Sequence, residues 1–533
     1  MCAINSSTED SGSALAAAAG AQADLVRSWP NPVTGARIRL VETHISYVVL
    51  AGRFAYKIKK AVNLGFLDFS SLEKRRRCCE EEVRLNRRLA PEIYLDVIAL
   101  TGTPSSPRIG GDGEAIEYAV RMRRFPQSGL LDRRLARNAV EPDVIDALAD
   151  RVAAFHEQAA ARCPRGTVYG SPGVVREAMA MNVLQLRRYL PERMHAGLLD
   201  ELEQWSETVG AGLASMMDDR RSAGWVRECH GDLHLGNVAL VRGHPLIFDC
   251  IEFNPDLRWI DVINEIAFMV MDLEERGRPD YAYRFLNRYL EGTGDYAGLP
   301  LLGYYKVYRA LVRAKVAAIR GGQEDQAARR REMKVCGQYV DYARRSMLPP
   351  KRSLVLLHGL SGSGKSRVAQ MLLEARGAVR LRSDVERKRL AGLRPGANSR
   401  STINGGIYGE EMTAAAYARL AELARQVLSA GYPVVVDAAS LKAWQRRIFR
   451  MLAQELAVPF LVIACRAPED VLRQRVVARA RFGNDPSEAD PEVLEQQARA
   501  LEPLAGAELE RCLAVDTSAC SPDDLLRSVA SCC

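Results

Sequence analysis

No two cysteines stand in a C-x-x-C spacing, although the chain has 12 cysteines among its 533 residues. That absence argues against zinc knuckles and thioredoxin-like redox motifs. It supports no disulfide framework either. The cysteines, with the adjacent pairs Cys78-Cys79 and Cys532-Cys533, read as free thiols of a reducing cytoplasm. Long apolar runs are also missing, and none reaches the ~18 residues of a membrane helix. The alanine-rich stretch Ala14 to Ala23 follows an acidic start, so it makes a poor signal peptide. It reads instead as part of a disordered tail over residues 1–24. Neither sign of charge dominates: 74 Lys and Arg against 66 Asp and Glu leave +8. That balance admits anionic partners such as nucleotides without demanding nucleic acid. Aromatic residues are only 7% of the chain and are sparse after residue 350, which disfavours a base-stacking groove.

What is present starts with Gly359-Leu-Ser-Gly-Ser-Gly-Lys-Ser366, a match to G-x-x-x-x-G-K-[ST]. It follows an apolar run, Leu354 to His358, that reads as a buried strand. It precedes Arg367 to Glu374, which reads as a helix. In this context the backbone N–H groups around Gly359, Ser361, Gly362, Ser363 and Gly364 turn inward to phosphate oxygens at a helix N-terminus. Lys365 reaches the β- and γ-phosphates, and Ser366 is a ligand for Mg²⁺.

The length suits two or three domains, with 47% hydrophobic and 26% charged residues typical of a globular protein. Leu348-Pro-Pro-Lys-Arg352 is the best boundary, because two prolines stop one helix just before the P-loop strand. This divides the chain into residues 25–347 and 348–533.

Three short β-like runs open the first part: Ala36 to Glu42, Ser46 to Leu50, and Arg53 to Lys59. Ala55-Tyr-Lys57 resembles the A-x-K strand of protein kinases, whose lysine holds the α- and β-phosphates. Lys59 lies on the same strand face and competes for that role. Ser70-Ser-Leu-Glu73 fits a capping box for a helix running to about Ala90. On it Cys78, Glu81, Leu85 and Leu89 share one face, which makes Glu81 the candidate partner of Lys57. Glu80 and Glu82 stand beside it as alternatives. Ala115 to Met122 reads as a further strand. From Pro142 the pattern turns helical, over Val144 to Gln158, Val174 to Leu190 and Met194 to Met217.

Inside this region His230-Gly-Asp-Leu-His-Leu-Gly-Asn237 matches H-x-D-x-x-x-x-N, and an apolar run ends at Asp249. Asp232 is placed to accept the proton of an attacking hydroxyl, while Asn237 and Asp249 hold Mg²⁺ from either side of a short hairpin. These residues resemble the aminoglycoside phosphotransferase and choline kinase group of protein-kinase-like small-molecule kinases. In that group glycine follows the histidine, and Phe-Gly does not follow the second aspartate. Asp249-Cys-Ile-Glu252 fits this pattern, with Glu252 read as a structural acid or an extra ligand. Asp261 resembles the group's later aspartate, which braces the catalytic loop. No G-x-G-x-x-G occurs, so Glu42 to Ser46 is the candidate phosphate turn. Helices from Tyr281 to Met347 carry Lys306, Arg309, Arg313, Lys315 and Arg320, a basic wall suited to a neutral or anionic acceptor.

Beyond the P-loop, Ala378 to Asp384 reads as a strand with Asp384 at its C-terminal end, where ligands sit in open α/β sheets. Asp384 is the candidate for orienting an acceptor hydroxyl, and Arg382 or Arg387 for an anionic group. Gly431 to Asp437 reads as the Walker B strand, with Asp437 near Mg²⁺. A helix over Val471 to Ala480 bears Arg475 and Arg479, expected as lid arginines on the transferred phosphoryl group, with a lid tip at residues 483–487. This half resembles gluconate kinase, zeta-toxin and polynucleotide kinase-like P-loop kinases.

The fold class expected is thus an α+β bilobal protein-kinase-like fold followed by an α/β P-loop NTPase with a doubly wound parallel sheet. The order resembles that of a bacterial family fusing these two domains. It implies an ATP- and Mg²⁺-dependent bifunctional kinase, cytoplasmic, acting on small-molecule acceptors. Two alternatives stay open: a polynucleotide or RNA kinase in the second half, or an ATP-sensing regulator with one inactive site.

Overall fold

A computed structural model describes residues 7–30, 38–64, 67–190, 192–323, 325–399, 401, 405–482 and 486–532. By contact density the chain forms two compact units. The first joins Met1–Val144, Ala154–Ser171 and Met217–Glu265. The second joins Ile145–Ala153, Pro172–Met216 and Ile266–Cys533, so its limits do not fall at Leu348.

The first unit opens on a helix, Ser7–Arg27, where the sequence suggested a disordered tail. Alanine has the highest helix propensity, and the docking residues stand at the end of the run rather than within it. Leu25, Val26 and Trp29 are buried against Val49, Tyr56, Ile58 and Ala119. Gln22 donates to Lys59 O at 2.8 Å and to Glu117 at 2.6 Å, and accepts from Ala61 N–H at 2.8 Å. The tail expectation is therefore corrected from Ser7 onward.

Six antiparallel strands follow: β1 Arg39–Glu42, β2 Ser46–Ala51, β3 Phe54–Lys59, β4 Tyr94–Thr103, β5 Ser106–Ile109 and β6 Glu117–Arg123. Their order is β1-β2-β3-β6-β4-β5, with Lys57 opposite Val120 on β6. The Leu72–Asn86 helix packs Cys79 and Val83 into a second cluster with Tyr94, Val120 and Leu246. Ser71 caps it by accepting from Lys74 N–H, one residue later than the capping box suggested. A two-stranded ribbon, β7 Val226–Glu228 with β10 Trp259–Asp261, and a hairpin, β8 Val238–Val241 with β9 His244–Ile247, flank the loop between them. The hairpin turns at Arg242 and Gly243, both at positive φ, as a two-residue turn between twisted strands requires.

In the second unit five parallel strands form one sheet: β11 Leu354–His358, β12 Val379–Arg382, β13 Val434–Asp437, β14 Phe460–Arg466 and β15 Cys512–Asp516. The order β12-β13-β11-β14-β15 puts the P-loop strand at the centre and reverses direction there, the arrangement of a doubly wound fold. Val355, Leu357, Leu461 and Ile463 pack with Val368 and Leu372 of the Lys365–Arg376 helix. Among the described residues no helix is long and apolar enough to cross a membrane. The cysteines whose side chains are described are free thiols.

Candidate active site

Three segments of the first unit converge on one charged cluster. Lys57 on β3 donates to Glu82 at 2.8 Å and to Asp249 at 2.5 Å. Lys59, two residues on and on the same strand face, pairs with the other oxygen of Glu82 and with Glu252. Lys59, Glu82 and Glu252 are buried. Burial alone would raise the Glu82 carboxyl, but Lys57 and Lys59 outweigh it and hold the group at about 2. Burial opposes the charge on Lys57, yet Asp249 and Glu82 lift its ammonium well above the usual lysine range.

The partner of Lys57 is therefore Glu82, and the assignment to Glu81 is corrected. Glu81 instead pairs with Arg84 at 2.6 Å and Arg258 at 2.9 Å. The helix ends at Asn86, so Leu89 is not on it, and its buried stripe runs through Arg75, Cys79, Glu82, Val83 and Asn86. A stripe anchored on Leu89 is rotated by one residue, about 100°. Glu252, read as a structural acid or an extra ligand, pairs with Lys59.

The catalytic-loop candidate is held by its own hydrogen bonds. His230 Nε2 bonds to Phe248 O at 2.9 Å and its Nδ1 lies 3.2 Å from Asp232 N–H, which fixes the ring's orientation. Asn237 Nδ2 donates to Asp232 O at 3.0 Å and to Asp232 Oδ2 at 2.9 Å. Asn237 O accepts from Phe248 N–H, so Asn237 and Asp249 sit at the two open ends of the β8-β9 hairpin. Asp249 adopts φ +68°, a strained value for a non-glycine residue, and its N–H donates to Tyr94 Oη at 3.1 Å. Glu265, fully buried, accepts from the N–H groups of His230 at 2.6 Å and Gly231 at 3.0 Å. It is the loop's brace, while Asp261 holds Arg220 through two bonds of 2.8 and 2.9 Å. Sequence reading missed Glu265. Its position four residues after Asp261, in the first turn of the next helix, was the available signal.

At the P-loop, Lys365 folds back onto the carbonyls of Gly359 at 2.9 Å and Leu360 at 2.8 Å. Gly364 has φ +84°, and a Cβ there would lie 2.8 Å from Thr517, so only glycine fits. Burial lowers the Lys365 ammonium, and the charges of Asp437 and Asp384 oppose that shift. β13 lies between β11 and β12 in the sheet, which brings Asp437 and Asp384 to the same sheet edge as the P-loop. Asp437 ends β13, is buried, and its Oδ2 makes no hydrogen bond; Arg382 Nε is 3.7 Å away. Asp384 lies in the first turn of the Ser383–Leu390 helix, two residues past the end of β12.

Arg475 lies against the P-loop. It donates to Gly362 O at 3.1 Å, Thr517 Oγ1 at 2.9 Å and Thr517 O at 3.2 Å, clamping the P-loop to the β15 end. Arg479 remains within electrostatic reach of Lys365. Ser361 N–H is taken by Gln497 Oε1 at 2.8 Å, a partner not foreseen. Arg387 is spent on Ile407 O and Thr413 Oγ1. At the expected lid tip, residues 483–485 lie outside the described residues. The basic wall is largely internal to the second unit: Lys306 pairs with Glu274 at 2.6 Å, Lys315 donates to Asn182 at 2.7 Å, and Arg309 is buried against Phe268.

Residues 69–302 match the profile of the phosphotransferase enzyme family, and residues 354–504 match that of an AAA domain. An uncharacterized protein of Mycobacterium tuberculosis is 32% identical over 448 residues, covering 83% of this chain and 86% of its own. The chain belongs to that two-domain family. It is an ATP-dependent kinase in class. Among solved structures, the kinase is similar to a choline kinase from Cryptosporidium parvum, at 10% identity and TM-score 0.39, over 59% of this chain and 89% of that one. It is also similar to a gluconokinase from Sinorhizobium meliloti, at 23% identity and TM-score 0.25, over 34% of this chain and 92% of that one.

Proposed function

We propose that the chain is a bifunctional phosphotransferase with two Mg-ATP sites, each passing the γ-phosphoryl group in line to a hydroxyl of a small molecule. The observation that carries this reading is that two unrelated phosphate-handling sites are each furnished within one chain. At the first, Lys57 joins Glu82 and Asp249 while Asn237 holds Asp232. At the second, the strand ending at Asp437 lies between the P-loop strand and the strand that leads to Asp384, so both acids stand at the P-loop edge of the sheet.

Both sites fit Mg²⁺ by the chemistry of their donors, which are hard oxygens: a half-exposed carboxylate at Asp249, and at Asp437 a buried carboxylate oxygen without a hydrogen bond. Asn237 and Asp249 would hold the ion at the first site, and Ser366 and Asp437 at the second. Bound there, Mg²⁺ neutralises phosphate charge. Lys57 positions the α- and β-phosphates, and Asp232 takes the proton of the acceptor hydroxyl. In the P-loop site the backbone N–H groups of Gly362, Gly364, Lys365 and Ser366 cradle phosphate oxygens, Lys365 leaves the loop carbonyls for them, and Asp384 orients the acceptor. Positioning and charge neutralisation supply most of the rate in such transfers.

The test is a binding titration with a non-hydrolysable ATP analogue and Mg²⁺. Two nucleotides should bind per chain, falling to one in Lys365→Ala. A stoichiometry of one in the intact protein would contradict two ATP sites and point to a chain with a single functional nucleotide site.

A further inference from the structure

The Pro279–Thr293 helix precedes the Leu348 boundary, yet it belongs to the compact unit that contains the P-loop sheet. Its contacts with that sheet are polar and specific. β12 is an outer strand, so one edge of its backbone has no neighbouring strand. Asn287 supplies the missing pairing. Its Oδ1 accepts from Arg380 N–H at 2.7 Å, and its Nδ2 donates to Ala378 O at 3.0 Å. A primary amide presents one acceptor and one donor side by side, as an extended residue of an adjacent strand does.

One turn later Glu291 takes the buried Arg380 guanidinium at 2.7 Å, and Arg380 also donates to Gln370 of the P-loop helix at 2.9 Å. Arg389, at the far end of the Ser383–Leu390 helix, donates to Glu291 O at 2.6 Å. Arg284 reaches Glu374 at 2.8 Å, and a Cβ on Gly377 would come within 2.9 Å of the Tyr283 ring. One helix thus grips three consecutive elements: the helix that carries Lys365 and Ser366, then β12, then the helix that carries Asp384.

We infer that the Pro279–Thr293 helix is the positioning element for the acceptor side of the P-loop site, acting through Asn287 and Glu291. The inference rests on reading that site as a kinase site. Asp384 follows Arg380 by four residues, so a shift of β12 moves it directly. Nucleotide binding depends on the loop backbone and Lys365 and does not need that strand's edge to be held. This helix, although it precedes the Leu348 boundary, is therefore part of the second site's machinery.

The test uses the full chain carrying Asp232→Ala, so that ATP hydrolysis with water as acceptor reports the P-loop site alone. Asn287→Ala and Glu291→Ala should each lower turnover at least about tenfold, because small misplacements of a positioned group cost that much. ATP affinity should change less than about twofold, and hydrogen exchange at residues 378–390 should quicken. Glu291→Gln keeps an acceptor for Arg380 and should restore most of the turnover. Folded variants with unchanged turnover and exchange would overturn the inference. So would a parallel loss of turnover and ATP affinity, which would make the helix a prop for the fold only. If the Asp232→Ala parent itself shows no turnover, the kinase reading of the site fails. Exchange at residues 378–390 then decides alone whether the helix holds the strand.

Discussion

Asp232→Ala should remove phosphoryl transfer at the first site by about 10²- to 10⁴-fold, the range a positioned proton acceptor supplies. It should leave ATP binding and turnover at the P-loop unchanged. Asp232 bonds to Asn237 and His234 of its own loop, and the P-loop lies in the other compact unit. The reverse holds for Lys365→Ala. Lys365 is the cation of the P-loop, and its bonds go to Gly359 O and Leu360 O alone. Its removal should silence the second site and spare the first. Steady-state assays on each variant check this. Loss of both activities in either folded variant would show that the two sites are not independent.

The largest stability effect should follow Glu82→Ala. Glu82 is fully buried and is the one acid shared by Lys57 and Lys59. Breaking a buried ion pair on one side costs about 3–5 kcal/mol, because the partner charge stays desolvated. Denaturant melts of the first unfolding transition measure this. The pH dependence has a definite sign. Glu82 is held at about 2, below its ordinary 4.5, so its contribution is complete above about 4.5 and is lost as pH falls towards 2. Lys57 is shifted upward, so its share is complete below about 10.5 and is lost only as pH rises beyond its raised value. The stability gap between the wild type and Glu82→Gln should therefore be flat near neutrality and narrow in acid. A gap that did not change between pH 7 and pH 3 would contradict this cluster.

These two sites were legible to different depths, for a physical reason. The P-loop is local: strand, glycine turn and helix follow one another, and Leu354–His358 has the expected bounds. The hairpin between Asn237 and Asp249 is local too. The Lys–Glu pair spans 25 residues, and its acid depends on where a helix ends, so one residue of error turned Glu81 toward Arg84 instead. Lys59 with Glu252, and Asn287 with Arg380, join residues 193 and 93 apart. Such pairs carry no periodic signature. Arg475 has the spacing of a lid arginine, and its bonds to Gly362 O and Thr517 were not legible in that spacing. The basic wall failed similarly, since lysines such as Lys306 and Lys315 on helix surfaces found partners inside the helical bundle.

The most direct test of the account is transfer of labelled γ-phosphate from ATP into a fractionated metabolite extract. It is run with the intact protein, with Asp232→Ala and with Lys365→Ala. Two labelled small molecules are expected, one lost with each substitution, which would assign each domain its acceptor. Label entering nucleic acid, lost with Lys365→Ala, would contradict a small-molecule acceptor at the second site. ATP bound with no transfer to any fraction would contradict the kinase account and make the chain a nucleotide sensor.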